Sequence, residues 1–379
     1  QVEPSGFGSD EQTQAELSGF SSGEQTQAEL SGFCSDNKTD EAAEAGHYDA
    51  NGFCKGYEID PNGSGAWVKK SGTDACMDDG CNGYQPMTTV TEAGTEWYEI
   101  SNAGQLYWFA DKVNNGEGSL NAVLTADISV NEGDVSGCDG NKAEGWRDWT
   151  SIGNLENQYF GTFDGQGHTV SGLYFNDEDA EYVGLFGRSS GNIKNVGVVN
   201  SYFKGSDYVG GVCGANDGTV TNSYNTGNVI TSNSYVGGVC GHNGNGTITN
   251  CYYLDTSETD NLDGTTFKTA DQFASGEVAY LLNGSKSEGD TVHFYQIIGK
   301  DKAPVLDKSH GVVYFYTDCT DKMCYANSET TSGEHDFDEN GFCTKDSTHY
   351  QPATLNETTE NYEISNAGQL YWFAGLVNG

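Results

Sequence analysis

Two short motifs recur together at a spacing of about 27 residues through the middle of this chain. The first consists of Tyr-Val-Gly, further small or apolar residues and a closing glycine, and it occurs at residues 182–187, 208–214 and 235–241. The second begins with glycine and closes with asparagine, and it occurs at residues 191–195, 218–222 and 246–250. Two motifs with one shared period predict a stack of equivalent coils, each burying its apolar side against the next. We therefore expect a mainly β fold, a parallel β-helix (solenoid) of Gly-rich coils with short capping helices, flanked by small Cys-rich units.

The coil repeat is expected to bring particular side chains into register. A coil of this length accommodates three short strands and three turns, and neighbouring coils lie about 4.8 Å apart. The asparagines that close the second motif, Asn195, Asn222 and Asn250, should therefore form a ladder in which each side-chain amide bonds to its neighbour. Cys213 and Cys240 also fall in register. Their expected separation allows a disulfide, although parallel side chains in a ladder more often remain buried thiols.

The charge balance excludes several classes of partner. The chain of 379 residues has 56 acidic and 17 basic side chains and a formal net charge of −39, and its only arginines are Arg147 and Arg188. Such a surface repels nucleic acid and anionic lipid and has no basic groove for phosphates. The sequence contains no run of about 18 apolar residues, which is the length needed to span a bilayer. We therefore predict no nucleic-acid partner and no membrane insertion.

Composition and internal repeats divide the chain into six segments. They are an acidic linker of 13-residue repeats (1–33), a Cys-rich unit (34–86), a capped β-helix (87–254), a C-terminal cap (255–316), a second Cys-rich unit (317–352) and the start of a second module (353–379). The linker is polar and lacks core residues, which is typical of flexible segments. Gln1 is not followed by a basic and apolar leader, and we interpret it as the start of a mature or excised product.

A longer identity relates the two modules. Residues Tyr98–Ala110 recur unchanged as Tyr362–Ala374. Asn102 and Gln105 have the spacing of a capping box, and the apolar residues that follow share one helical face. We predict a short amphipathic helix that plugs the N-terminal end of the coils, because the first coil would otherwise expose its interior and its strand edges.

Cysteines cluster in the two small loop-rich units. The candidates for disulfides are Cys34, Cys54, Cys76, Cys81, Cys319, Cys324 and Cys343. Such clusters indicate disulfides and an oxidising, extracellular setting. A zinc site built from Cys319, Cys324, His335 and Cys343 is an alternative, although the ligand spacings differ between the two units.

Two oxygen-rich loops are weak calcium candidates. Asp60, Asn62 and Ser64 begin like an EF-hand loop, but Ser71 stands where that loop requires a bidentate glutamate. The second loop contains Asp255, Glu258, Asp260 and Asp263. Since loops of this kind are usually turns, we expect no required cofactor and regard calcium as an optional one.

The coil motifs at Tyr208–Gly214, Gly218–Tyr224 and Tyr235–Tyr253 resemble the GLUG-repeat family. That family occurs in large bacterial surface proteins, including some IgA-specific metalloendopeptidases and adhesin-like gut proteins. The resemblance implies a parallel β-helix on an exported protein. It implies no catalysis, because the His-Glu-x-x-His zinc helix of the protease members does not occur in this sequence.

These observations predict a non-enzymatic, exported structural or adhesive repeat protein, located extracellularly or at the cell surface. Self-association into head-to-tail filaments is one expected partnership, and host or environmental glycans or proteins are the others. One alternative is a carbohydrate-binding module in which aromatic side chains stack on sugars, with candidates Tyr107, Trp108, Trp146 and Trp149. The other is a polysaccharide-degrading β-helix enzyme that uses Asp164 and His168 as acid and base, although glycines beside both residues favour a tight turn.

Overall fold

The computed structural model describes residues 48–59, 67–70, 83–254, 264–287, 293–305, 307–317, 323–326, 337–342, 350–356 and 361–378. These ranges contain the whole coil region and both copies of the repeated helix. Among the described residues, no helix is both long enough and apolar enough to cross a membrane.

The secondary structure consists of many short strands and a few short helices. The elements before the coils are β1 (Tyr57–Ile59), β2 (Trp67–Lys69), β3 (Thr88–Glu92), β4 (Thr95–Ile100) and α1 (Ala103–Asn114). The coils contain β5 (Ala122–Leu124), β6 (Ile128–Ser129), β7 (Thr162–Asp164), β8 (Thr169–Ser171), β9 (Tyr174–Asn176), β10 (Glu181–Val183), β11 (Phe186–Ser189), β12 (Asn192–Lys194), β13 (Gly197–Val199), β14 (Tyr202–Gly210), β15 (Cys213–Asn216), β16 (Thr219–Thr221), β17 (Tyr224–Asn225), β18 (Asn228–Gly237), β19 (Cys240–Asn243), β20 (Thr247–Thr249) and β21 (Cys251–Leu254). The remaining elements are β22 (Thr265–Lys268), α2 (Ala270–Ala274), α3 (Glu277–Leu282), a 3-10 turn at Lys308–His310, β23 (Tyr314–Thr317), β24 (Met323–Ala326), β25 (Thr354–Asn356), β26 (Asn361–Glu363) and α4 (Ala367–Asn378).

Equivalent strands of successive coils pair in parallel along three faces. The first face has the strand order β20–β16–β12–β7–β5–β4–β3, in which only the terminal pair β3–β4 is antiparallel. The second face has the order β22–β21–β17–β13–β8–β6. The third face is formed by β10–β14–β18, joined by β9, and by β11–β15–β19. The result is a parallel β-solenoid of about six turns, which confirms the fold class that the sequence period predicts.

Inward-facing side chains of successive coils lie above one another along the solenoid axis. On the first face, Ile193 aligns with Phe163 on one side and with Val220 on the other, and Ile248 aligns with Val220 in the next coil. All four are buried, and none is more than 6 % exposed. Fully burying one such side chain contributes about 1.5–3 kcal/mol. An apolar residue at the same position of every coil therefore builds one continuous core.

Helix α1 covers the N-terminal end of this core. Its N-cap residue is Asn102, whose side chain accepts a hydrogen bond from the backbone N–H of Gln105 at 3.0 Å. The ring of Phe109 packs against the rings of Tyr159 and Phe163, with centroid distances of 5.8 and 6.0 Å. The helix therefore seals the first coil, because its apolar face fills the space that a further coil would occupy.

The described residues of 269–287, 293–305 and 307–313 include side chains that pack against the outside of the second face. Tyr224 and Tyr252 are register partners on β17 and β21, and they form an apolar cluster with Phe273, Val278 and Phe294. The next residues in these strands, Asn225 and Tyr253, are buried and point inward instead, as alternation along a strand requires. The segment expected from sequence to cap the stack thus buries its apolar side on the flank of the solenoid.

Candidate functional site

Most of the predicted metal and disulfide residues lie outside the described part of the chain. This applies to Asp60, Asn62, Ser64, Asp255, Glu258, Asp260, Asp263, Cys34, Cys76, Cys81, Cys319, His335 and Cys343. Cys324 lies in β24. Among the residues that the structure does describe, no group of three or more His, Cys, Asp or Glu side chains could hold a metal ion. The calcium and zinc predictions at these positions stay predictions.

Cys54 belongs to the first Cys-rich unit and has a described side chain. It is 1 % exposed, and its Sγ accepts a hydrogen bond from the backbone N–H of Gly56 at 3.4 Å. The described part of the chain contains no disulfide. Disulfides within the Cys-rich units therefore stay a prediction.

The three predicted ladder asparagines form one chain of hydrogen bonds across adjacent coils. Asn250 Nδ2 donates to Asn222 Oδ1 at 2.8 Å, and Asn222 Nδ2 donates to Asn195 Oδ1 at 3.2 Å. Asn195 Nδ2 in turn donates to Asp164 Oδ1 at 2.9 Å. The three asparagines have φ angles of 55°, 48° and 54°, a left-handed conformation that asparagine tolerates better than most residues. The ladder therefore fixes one corner of the solenoid, and it begins at a carboxylate.

Asp164 and His168, the candidate acid and base, each have a separate partner. Asp164 is 6 % exposed, and it is paired with Lys194 Nζ at 2.8 Å in addition to its bond from Asn195. His168 Nδ1 lies 3.3 Å from Asp127 Oδ1, which belongs to the preceding coil. Both side chains thus link neighbouring coils.

Cys213 and Cys240 are buried thiols, which the sequence favoured over a disulfide between them. They are register partners on β15 and β19, and both are free. The Sγ of Cys213 donates to the carbonyl of Ala215 at 3.2 Å, and that of Cys240 donates to the carbonyl of His242 at 3.1 Å. Burial raises the pKa of the Cys213 thiol well above its usual value, so the thiol is neutral at physiological pH.

The aromatic residues proposed from sequence as sugar contacts are mostly part of the core. Trp149 is 1 % exposed and Tyr107 is 6 % exposed, and their rings pack edge to face at 5.1 Å. Trp146 packs against Tyr174, and Trp108 packs against Tyr98. Two of these four rings are therefore closed to a ligand, and the other two are partly covered.

The structure instead places three other tyrosines in a stack on the surface. Tyr182, Tyr208 and Tyr235, which we call the tyrosine column, occupy the same place in three successive coils. Neighbouring ring centroids lie 4.7 and 4.9 Å apart, with interplanar angles of 1° and 2°. Tyr235 is 47 % exposed. In the sequence these tyrosines mark the period, and their recurrence before Val-Gly is the signal that points to the column.

The backbone of the tyrosine column is strained. Its φ angles are 62°, 57° and 59°, in the left-handed region that bulky side chains rarely enter. Each such residue costs about 1–2 kcal/mol relative to an ordinary conformation. Stacking of the rings offsets part of this, since aromatic pairs contribute about 0.5–1.5 kcal/mol beyond their buried area. The strain recurs in three successive coils and is tied to an exposed aromatic surface.

Charged and polar residues flank the tyrosine column on both sides. Glu181, Asp207 and Ser234 are register partners on one side. On the other side, the ring of His242 stands edge-on to Tyr208 and Tyr235 at 5.5 and 5.0 Å. Desolvation, followed by the neighbouring tyrosines and carboxylates, raises the pKa of Tyr208 above its usual value. Tyr208 therefore presents a neutral phenol beside carboxylates at neutral pH.

Arg188 lies at the end of the tyrosine column that is formed by Tyr182. Its guanidinium carbon lies 5.9 Å from the ring centroid of Tyr182, and its Nη2 is paired with Asp217 Oδ2 at 3.1 Å. One of the two arginines of the chain is thus used beside the aromatic stack. The surface combines ring edges, hydroxyls and carboxylates in a line that follows the solenoid axis.

Comparison with known proteins agrees with the coil repeat. Residues 232–253 match the family model described as the GLUG motif. This segment is a GLUG motif. It contains Tyr235 of the tyrosine column and Asn250 of the ladder, so the predicted resemblance is confirmed at these residues.

One solved structure is similar to this chain. It is the crystal structure of a protein from Bacteroides ovatus that is provisionally named an immunoglobulin A1 protease. The similarity covers 57 % of this chain and 93 % of that chain, with 16 % sequence identity and a TM-score of 0.32. No curated protein is significantly similar in sequence.

Proposed function

We propose that this protein is a non-enzymatic, exported repeat protein that acts as a surface or extracellular scaffold with an adhesive face. The observation that carries the proposal is the use of polar side chains to join coils, as in the chain from Asp164 through Asn195 and Asn222 to Asn250. Such ladders stiffen a solenoid without creating an open catalytic cleft. Bacterial origin and location at the cell surface belong to the same proposal, on the strength of the GLUG motif at 232–253.

The enzymatic alternative has less support. An acid and a base must both reach one substrate bond, whereas Asp164 is paired with Lys194 and His168 with Asp127. The chain should be incubated with neutral and acidic polysaccharides, and new reducing ends should be measured. We expect none. Turnover that is lost in Asp164→Asn would contradict the non-enzymatic proposal.

The tyrosine column favours carbohydrate binding as a second candidate function. Its phenols recur in three successive coils, and linear polysaccharides offer hydroxyls and apolar ring faces at regular intervals. Aromatic side chains with a few polar groups beside them are typical of ligand sites. The face of the scaffold that we propose for adhesion is therefore the column formed by Tyr182, Tyr208 and Tyr235, and its ligands are host or environmental glycans.

Affinity electrophoresis in gels containing neutral soluble polysaccharides, such as xyloglucan and mixed-linkage β-glucan, tests this candidate. We expect slower migration of the native chain and normal migration of a Tyr208→Ala/Tyr235→Ala variant. Phe160→Ala is a matched control, since Phe160 is an exposed aromatic residue outside the column. If none of the gels retards the native chain, the glycan candidate is wrong, and the scaffold proposal then depends on protein ligands.

Filament formation and disulfides remain further parts of the proposal. A head-to-tail contact through α4 would have to displace α1, because Leu106 and Phe109 already fill the N-terminal end of the stack. Negative-stain electron microscopy with and without reductant distinguishes filaments from discrete short rods. Mass spectrometry of the alkylated, non-reduced chain detects disulfides in the Cys-rich units.

A further inference from the structure

The described structure contains two copies of one cap, and only the first is covered. The first cap consists of residues 48–56 and 83–114, and the second consists of residues 337–342, 350–356 and 361–378. Leu106 is completely buried in the first copy, whereas its counterpart Leu370 is 56 % exposed. Val113 is likewise completely buried, whereas its counterpart Val377 is 66 % exposed. The same apolar face is therefore covered in one copy and open to solvent in the other.

The second cap is already assembled in the shape of the first. Asn366 Nδ2 donates to Gln351 Oε1 at 2.6 Å, as Asn102 Nδ2 donates to Gln85 Oε1 at 3.0 Å. The backbone bond from Gly368 N–H to Asn340 O at 2.8 Å repeats that from Gly104 N–H to Asn51 O at 2.7 Å. The open face is thus held in a defined conformation before any partner covers it.

One stack of two tyrosines inside the second cap is also preserved. Tyr350 stacks on Tyr371 with a centroid distance of 5.2 Å and an interplanar angle of 27°. In the first cap, Tyr84 stacks on Tyr107 at 5.4 Å and the same angle. Tyr107 is 6 % exposed and Tyr371 is 56 % exposed. The two tyrosines therefore differ in whether a coil covers them and not in how they stack within the cap.

The first cap shows which partner this face takes. Phe109 packs on Phe163 of the first coil at 6.0 Å. Asn114 Nδ2 donates to the carbonyl of Ser151 at 3.0 Å, and Asn114 Oδ1 accepts from the backbone N–H of Gly153 at 2.8 Å. The partner is therefore the end of a parallel β-solenoid coil, with apolar rings inside and, at its rim, backbone groups that the asparagine of the cap pairs.

We propose that the apolar face of α4 docks onto the N-terminal end of a second parallel β-solenoid of the same kind. Phe373 and Asn378 occupy the sequence positions of Phe109 and Asn114, so the sequence of the second cap supplies the same apolar and amide residues as the first. The end of the described stack is already filled by α1, and the partner is hence another coil stack.

A chain extended by a second coil stack tests the proposal. Residues 116–316 are appended after Gly379, which occupies the position of Asn115. Amide hydrogen exchange of residues 367–378 is then compared with that of α1. We expect exchange in α4 to be fast in the 379-residue chain and at least ten times slower in the extended chain. The appended coils should reach the protection of the first stack.

Two substitutions in the extended chain separate docking from simple folding of the added coils. Leu370→Asp puts a charge on the apolar face and should remove the protection of both α4 and the appended coils. Gly375→Asp is the matched control, because it restores the residue found at Asp111 in α1, and it should leave protection unchanged. Unprotected α4 amides in the extended chain, or appended coils that stay unprotected, would overturn the proposal.

Discussion

Asn222 donates its side-chain Nδ2 to Oδ1 of Asn195 at 3.2 Å across two adjacent coils. Both residues have left-handed backbones, with φ angles of 48° and 55°. The amide group can donate to one neighbour and accept from the other, which a carboxylate or a hydroxyl does less completely. Asparagine at this corner therefore satisfies two requirements, one of backbone conformation and one of hydrogen bonding.

Asn222→Ala should destabilise the solenoid for both reasons. Loss of the amide leaves the neighbouring polar groups without their partner, at about 1–3 kcal/mol, and alanine in a left-handed conformation adds about 1–2 kcal/mol. Asn222→Gly should show only the first of these two costs, because glycine also lacks the amide but adopts positive φ freely. Urea denaturation of the three proteins measures both terms. Equal stability of the two variants would show that backbone strain is unimportant here.

Leu106→Ala and Leu370→Ala form a matched pair, because the two leucines occupy the same position in identical segments. Leu106 is completely buried against the first coil, and its truncation should cost about 2–5 kcal/mol. Leu370 is 56 % exposed, and its truncation should change the free energy of unfolding by less than about 0.5 kcal/mol. Denaturation followed by circular dichroism checks both values. A large effect of Leu370→Ala would mean that its face is covered in solution.

Gly197 has no space for a larger side chain. A Cβ atom there would lie 2.5 Å from the ring of Tyr224, so Gly197→Ala should destabilise the protein by about 1–3 kcal/mol through overpacking. In a Tyr224→Ala background the same substitution should cost little. A double-mutant cycle from thermal or urea unfolding measures the coupling, and additive effects would contradict the close contact.

Buried thiols should make the protein less stable at high pH. Burial raises the pKa of Cys251 from 9.0 to about 12, so the unfolded chain releases this proton at a lower pH than the folded chain does. The stabilisation is complete below about pH 9, and it is lost at about 1.4 kcal/mol per pH unit between pH 9 and 12. Cys251→Ala should reduce the slope of the free energy of unfolding against pH in that range by about 1.4 kcal/mol per pH unit, which corresponds to one proton. An unchanged slope would show that the thiol does not titrate differently in the two states.

Local features of the sequence were enough to predict much of the fold. The period of the Tyr-Val-Gly and Gly-to-Asn motifs predicted parallel coils, because a stack of coils needs the same residue type at the same place in each turn. The helix α1 was predicted from residues within a few positions of one another, beginning at Asn102 and Gln105. These signals depend only on backbone preferences and on short spacings.

Features that depend on which face a residue points to were decided by the tertiary structure. Tyr224 belongs to a coil motif, yet its ring lies outside the solenoid and packs on Phe273, which makes the segment that contains Phe273 a flanking element. The tyrosine column likewise depends on register between strands that are 26 or 27 residues apart. The sequence by itself therefore determined the repeat and its corners, since these follow from period and backbone conformation. Only the tertiary structure decided which aromatic rings are buried, stacked or left open, because the direction of a side chain is set by the pairing of distant strands.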